Sequence, residues 1–333
     1  MPLNRWLFAA LGLAATAAAA APEYKWTMSY LPVTGTTYYD AAQVLPERIR
    51  KATNGRVEVT ANGSLVPGNR LLEAVRDGDV QMTMPLSGYY TASQPLFTLG
   101  ALPGISESHE DLDRLLDSPY GRALREMYAR DYKAKELMSA AFCPQTMFSN
   151  KPVVTAEDWK GLRLRVNNAG TAVLANVLGA KPTSLAAGEV LPALQRGVID
   201  AVLTDACWAY GAGFYTAVKH ASVWKLGSVV PWNVLVNQEA WAQLPKDLQQ
   251  SIEAELGKME AEMKKDWQAK VAALPSQWQA KGVKYHVVSE AESKKVHDPK
   301  YMTPVFEAWY KQADARGVDA KRWEKVARDV VAR

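Results

Sequence analysis

Leu162, Leu164 and Val166 alternate with Arg163 and Arg165 in the stretch GLRLRVNNAG (161–170). That is the period of a β-strand with one buried face. Strands are likewise predicted over 25–30, 56–61 (with Val57 and Val59 on one face), 80–84, 136–142, 162–166 and 283–288, and a short apolar one over 199–203. Apolar residues three and four apart predict helices over 40–53, 69–76, 112–132, 172–178 and 189–196. In the first of these Val44, Leu45 and Ile49 share a side, and Asn54-Gly55 is the stop. Thr155 is placed to cap a short helix running to Trp159.

The β-α-β-α rhythm occurs in two sections, which predicts α/β architecture in two lobes. One segment breaks the rhythm. Leu248, Ile252, Leu256, Met259, Met263, Trp267, Val271, Leu274 and Trp278 form a single stripe on a helix expected from near Pro245 to Gly282. A helix of about 38 residues is roughly 57 Å long, enough to lie along both lobes. Pro275 is expected to kink it or break it near its end.

Composition narrows the function classes. The chain has 333 residues and a formal net charge of +4, with both signs mixed along it, which argues against nucleic acid as a partner. Its start has the layout of an export signal: Asn4-Arg5, an Ala- and Leu-rich run from Trp6 to Ala21, then Pro22 and Glu23. Residues 1–21 are therefore expected to be a signal peptide, cleaved around Ala19 to Ala21, and the rest a periplasmic protein. The two cysteines, Cys143 and Cys207, are bonded or free, and sequence does not choose between these.

Catalytic signatures are missing. The chain has no GxSxG, Walker A, GxGxxG or HExxH motif, and its four histidines sit in no motif around a cysteine. Asp200 and Asp205 are a carboxylate pair without a partner motif, and Asp111 and Asp113 lie in an acidic run expected to be solvated. An exported two-lobed α/β chain with no such signature fits a ligand-binding protein whose lobes close on a small molecule. It is expected not to be an enzyme and to need no cofactor or metal.

The block DWKGLRLRVNNAGTAVLANVLGAKPTSLAAGEVLPALQRGVIDA (158–201) resembles the DctP-type solute-binding proteins of TRAP transporters. The matching pieces are GLRLRV (161–166), LGAKP (178–182) and GEVLPALQRGVID (188–200), with TNGRVEVTANGSL (53–65) and the loop SNKPVVTAEDWKG (149–161) in support. The resemblance implies a two-lobed, type II-like periplasmic-binding-protein fold with a central cleft, hinge strands and a long helix spanning both lobes. One lobe is expected from 22–143 plus about 231–265, the other from 144–230 plus about 266–333. It also implies a monomeric receptor that hands a small organic acid to the membrane permease subunits of a TRAP transporter. A binding protein of the same fold serving an ABC importer or a sensor kinase is the alternative.

By the resemblance, Arg165 is the arginine that forks onto the ligand carboxylate, while Arg163 falls at a variable position and is expected in solvent. A planar, permanently charged guanidinium suits that task. Many relatives carry a second cleft residue, often Arg, about where Gln145 stands, so a second ligand carboxylate lacks its usual partner. Thr204 stands where an Asn often touches ligand, and Ala187 replaces a frequent aromatic and leaves room. Asn167, sharing parity with Arg165, is a further contact ahead of Asn168. Asp205 is a candidate to accept a ligand hydroxyl or help hold a cation.

CWAYGAGFY (207–215) lies past a strand's C-terminal end, where α/β folds bind ligands, so Trp208 and Tyr210 are candidates for a cleft wall as much as for core. The opposite lobe is expected to contribute Ser87 and Tyr89 from LSGYY (86–90), and residues between Tyr30 and Thr37. The ligand expected from one retained arginine and the aromatic segment is a monocarboxylate, with aromatic, 2-oxo and 2-hydroxy acids the candidate types.

Overall fold

Two mixed sheets, linked by three passages of the chain, frame the molecule. The computed structural model describes residues 21–226 and 230–332; the expected export segment lies outside them apart from Ala21. The first sheet contains β1 (Tyr24–Ser29), β2 (Val57–Asn62), β3 (Met82–Thr83), β4 (Ala134–Ala141) and β10 (Pro231–Asn237), in the order β2-β1-β3-β10-β4. The second contains β5 (Gln145–Ser149), β6 (Arg163–Arg165), β7 (Lys181–Thr183), β8 (Ala201–Asp205), β9 (His220–Val223) and β11 (Lys284–Val287), in the order β11-β9-β5-β8-β6-β7. The chain crosses between sheets from β4 to β5, from β9 to β10, and along the helix Lys246–Ala280 from β10 to β11. The β1–β2 and β1–β3 pairs are parallel, as are β6–β7 and β6–β8. This is the two-lobed α/β architecture expected from the sequence.

The long helix joins the two cores through one stripe. Leu248, Ile252, Leu256, Met259 and Met263 pack with Trp26, Met28, Leu45 and Trp232 around the first sheet. Trp267, Leu274 and Trp278 pack with Phe148, Val202 and Phe214 around the second. A third cluster draws on both halves: Phe97 and Tyr128 meet Trp159, Leu164 and Leu174, with Trp309 from the helix Pro299–Asp314.

Prolines act in opposite ways in two helices. Pro275 lies inside the 35-residue helix without ending it. Its missing N–H removes one hydrogen bond, while the buried Leu274 and Trp278 on either side anchor both neighbouring turns. In contrast, the helix expected over 112–132 is two helices, His109–Asp117 and Pro119–Tyr132. Ser118, extended at ψ 178°, ends the first and caps the second, its Oγ accepting from the Tyr120 N–H at 3.0 Å. The residue before a proline avoids helical backbone, and proline suits a first helical position.

Other boundaries shift for similar reasons. Val44 is 42 % exposed, because the inward face of the helix Thr37–Ala52 runs through Tyr38, Ala41, Ala42, Leu45 and Ile49. The strand expected over 80–84 pairs only at Met82 and Thr83. β5 shows no alternation in sequence because all five of its residues are buried.

Candidate functional site

β6 contributes three residues, and its two arginines meet different fates. Leu164 points into the core, so Arg163 and Arg165 share the opposite face. Arg163, at the strand's start, is exposed and clamps Asp200: Nη2 to Oδ1 is 2.5 Å and Nε to Oδ2 is 3.0 Å. This contact holds the Asp200 carboxyl below its usual range. Asp200 and Asp205 flank β8 at its two ends, so they do not work as a pair. Arg163 is thus ion-paired at the surface rather than simply solvated.

Arg165, at the strand's C-terminal end, is only 6 % exposed. Its Nε and Nη2 donate to the Leu185 carbonyl at 3.3 and 3.0 Å, and Nη1 donates to Thr204 Oγ1 at 3.4 Å. No ion pair to Arg165 exists among the described residues. Burial pulls its pKa down, and Tyr89 offsets part of this; a guanidinium stays charged under such a shift. A guanidinium has five N–H donors. The three bonds leave one N–H on each terminal nitrogen for the two oxygens of a carboxylate.

Around it lies a cavity of about 580 Å³, bounded from both sheets. Such a volume fits a small ligand. Its floor is the C-terminal ends of the parallel strands β6, β7 and β8, where open α/β sheets place ligands. Arg165, Gln145, Asn167, Thr204, Asp205 and Trp208 line it from the second sheet; Ser87 and Tyr89 line it from the turn Ser87–Tyr90 after β3. Val33 and Thr36, after β1, also line that side, and Ala187 and Asn168 reach the cavity.

An amide relay orients Gln145. Asn168 Oδ1 caps the helix Ala169–Val177 by accepting from the Thr171 N–H at 2.9 Å. Its Nδ2 donates to Asn167 Oδ1 at 3.1 Å, and Asn167 Nδ2 donates to Gln145 Oε1, also at 3.1 Å. With Oε1 engaged, the Gln145 amide NH₂ has no protein acceptor among the described residues.

Asp205 faces Gln145 across the β5–β8 register and caps the helix Ala206–Gly211, its Oδ1 accepting from the Trp208 N–H at 2.6 Å. Its Oδ2 is buried without a hydrogen-bond partner, and burial lifts the carboxyl to about 7, against smaller opposing effects from the backbone N–H groups of Trp208, Cys143 and Cys207. Cys143 and Cys207 are joined in a disulfide, which ties the passage before Gln145 to the helix that carries Trp208. These sulfurs and an Asp205 carboxylate oxygen lie together, but with both sulfurs bonded the group holds no thiolate for a metal or a nucleophilic step.

Tyr210 does not line the cavity. CWAYG folds as a helix rather than a loop, and two positions along a helix are about 200° apart. Trp208 therefore faces the cavity, its ring edge against Phe214 at 5.0 Å, while Tyr210 turns away onto Trp278 and Tyr215 at 5.5 and 5.6 Å. Leu185 is the residue that sequence reasoning missed. Its signal is PTSL (182–185), polar residues just past β7 at the sheet's ligand-binding end.

The family described as bacterial extracellular solute-binding protein, family 7 (DctP), matches residues 28–312. The C4-dicarboxylate-binding periplasmic protein DctP of Rhodobacter capsulatus is 30% identical over 251 residues, covering 73% of this chain and 74% of its own. A monocarboxylate 2-oxoacid-binding periplasmic protein of a Nostoc species is 28% identical over 243 residues, covering 69% of this chain and 64% of its own. Among solved structures, an extracytoplasmic solute receptor of Bordetella pertussis that binds pyroglutamic acid superposes with a TM-score of 0.80 at 22% identity, covering 93% of this chain and 99% of that one. A TRAP periplasmic solute-binding protein of Shewanella oneidensis with bound succinate reaches a TM-score of 0.82 at 22% identity, covering 93% of this chain and 100% of that one.

Proposed function

Because the chain belongs to the DctP family of bacterial extracellular solute-binding proteins, we propose that it is a periplasmic receptor that closes on a small monocarboxylate and delivers it to a TRAP-type permease. The observation that carries this reading is Arg165: a buried guanidinium in a cavity wall, held by Leu185 and Thr204, with an N–H left over on each terminal nitrogen. Burying a cation is costly unless something anionic completes it, and the cavity is where an acid can do so.

The rest of the wall supports a monocarboxylate rather than a dicarboxylate. Gln145 and Asn167 are neutral amides, and among the described residues no second cation lines the cavity beside Arg165 to pair with a second carboxylate. Trp208 offers a flat face beside the arginine for an aromatic, 2-oxo or 2-hydroxy body. In this reading the lobes are 22–143 with about 231–265, and 144–230 with about 266–333. Arg165 clamps the carboxylate, and Gln145, Asn167, Thr204, Asp205, Trp208, Ser87 and Tyr89 shape the rest of the site. The receptor works as a monomer, and no catalytic step, cofactor or nucleic acid enters.

A thermal-shift panel of pyruvate, L-pyroglutamate, benzoate and succinate tests it. A ligand at 100 times its Kd stabilises the fold by about 2.7 kcal/mol, so a cognate monocarboxylate raises Tm by several degrees. A rise with succinate alone refutes the monocarboxylate assignment, and no rise with any organic acid refutes the receptor reading.

A further inference from the structure

Two segments from opposite sheets meet beside the cavity on glycine alone. Gly35 lies in the turn between β1 and the helix Thr37–Ala52, at φ 82°. Gly211 ends the helix Ala206–Gly211 that follows β8. A methyl group built on Gly211 falls 2.6 Å from the Gly35 Cα and 2.7 Å from the Thr34 carbonyl oxygen. One built on Gly35 falls 2.7 Å from the Gly211 Cα and 2.8 Å from the Cys207 carbonyl oxygen. All of these neighbours are backbone, so no side chain can swing aside to make room.

A looser approach lies elsewhere on the cavity wall. A methyl group on Gly88 falls 3.3 Å from the Asn167 carbonyl oxygen, and both residues line the cavity. Thr36, next to Gly35, also lines it, as does Trp208, one helical turn before Gly211. Each approach joins an element of the first sheet to an element of the second.

We propose that Gly35 and Gly211 form a closure seam, along which the two lobes come together backbone on backbone around the bound acid. The seam rests on the receptor reading above. It makes Gly211 a positioning residue: it touches no ligand, yet it sets how far the cleft shuts and so how completely Arg165 and Trp208 are shielded from water. Binding energy measured on the acid includes the gain from closing, and a cleft held ajar forfeits that part.

Gly211→Ala is the clean test. Gly211 has no positive φ, and alanine is the better helix former. An open, ligand-free protein therefore tolerates the methyl group, while the closed one does not. Ligand-free thermal unfolding, titration calorimetry and small-angle scattering are compared with wild type, using whichever of pyruvate, L-pyroglutamate, benzoate and succinate shifts wild type most. The seam predicts a ligand-free Tm within about 2 °C of wild type, an affinity at least about tenfold weaker, and loss of the ligand-induced contraction. Gly88→Ala, facing a contact looser by several tenths of an ångström, gives the smaller loss.

Two results overturn the seam while leaving the receptor reading in place. One is a Gly211→Ala affinity within about threefold of a wild type that binds the acid. The other is a ligand-free Tm lowered by more than about 5 °C, which marks a fixed packing contact rather than a closing one. A wild type that binds no acid at all overturns both.

Discussion

The Arg165 guanidinium carbon lies 5.9 Å from the centre of the Trp208 ring, so the cation that the cavity presents is backed by an aromatic face. Such a contact is worth about 0.5–2 kcal/mol, the larger values applying out of water. The two residues come from different elements, β6 and the helix Ala206–Gly211, and Thr204 at the end of β8 links them through its contact with Arg165. Arg165 is therefore held on three sides by groups that carry no negative charge.

Arg165→Ala is expected to weaken acid binding by at least about 100-fold, the scale of a lost charge-assisted fork. Arg165→Lys is expected to restore little, because an ammonium is a point charge without the fork. Folding stability of the ligand-free protein is expected to hold or rise, since the variant removes a buried cation that has no carboxylate partner. Calorimetry and urea unfolding check both parts. Arg163→Ala is the control: it breaks a solvent-screened surface pair with Asp200 and leaves acid affinity within about twofold. A Arg165→Ala variant that binds as tightly as wild type removes Arg165 from the site.

Asp205 is expected to make acid binding pH-dependent. Its carboxyl is lifted to about 7 by burial, and a carboxylate bound in the same cavity disfavours the Asp205 anion further. Acid binding then takes up a proton, so affinity is expected to fall as pH rises from 6 to 8, by up to about tenfold per pH unit. Asp205→Asn keeps the helix cap, because asparagine also caps, and is expected to flatten the slope. Calorimetry across that range decides; an equal slope in both proteins rules Asp205 out as its source.

Glu136 is expected to make stability pH-dependent away from the site. It sits on β4 with Oε2 accepting from Asn233 Nδ2 of β10 at 2.8 Å, and Arg125 Nη1 is 3.7 Å from Oε1. Burial raises its pKa from 4.5 to about 7, Arg125 opposing and Glu260 adding to the rise. The folded state thus holds more protons than the unfolded one between these values, and stability falls as pH rises through that window. Glu136→Gln is expected to be more stable than wild type by about 1–3 kcal/mol at pH 8 and no more stable at pH 4. Urea unfolding at both pH values tests it, and an equal gain at both contradicts the assignment.

The disulfide closes a separation of 64 residues, from the passage between the sheets to the helix that carries Trp208. Chain-entropy reasoning gives about 4 kcal/mol for a loop of that size. Replacing Cys143 and Cys207 together by serine is expected to lower the urea midpoint accordingly. It is also expected to weaken acid binding, because Gln145 and Trp208 lose their shared tether. A variant with wild-type midpoint and affinity would show that the bond does neither.

Much of this architecture is legible in local pattern. The stripe from Leu248 to Trp278 announces the long helix because every residue on it meets core, first of one sheet and then of the other. The alternation around Leu164 announces β6 and places two arginines on one face, and the surrounding block, through its family resemblance, ranks Arg165 above Arg163. Periodicity carries this information because burying one face is a local requirement on the chain.

Only the tertiary structure decides the rest. β5 shows no alternation since both its faces are covered, yet it is the strand that presents Gln145. Trp208 and Tyr210 look equivalent until a single turn of helix sends one to the cavity and the other to Trp278. Leu185 reaches Arg165 through its carbonyl, a group every residue possesses, so no side-chain pattern can reveal it. The same holds where Gly35 meets Gly211: what matters there is an atom neither residue has, and its absence has meaning only once two distant segments touch. Sequence determines which faces are buried; the fold determines what each face meets, because partners are chosen by long-range packing rather than by neighbours along the chain.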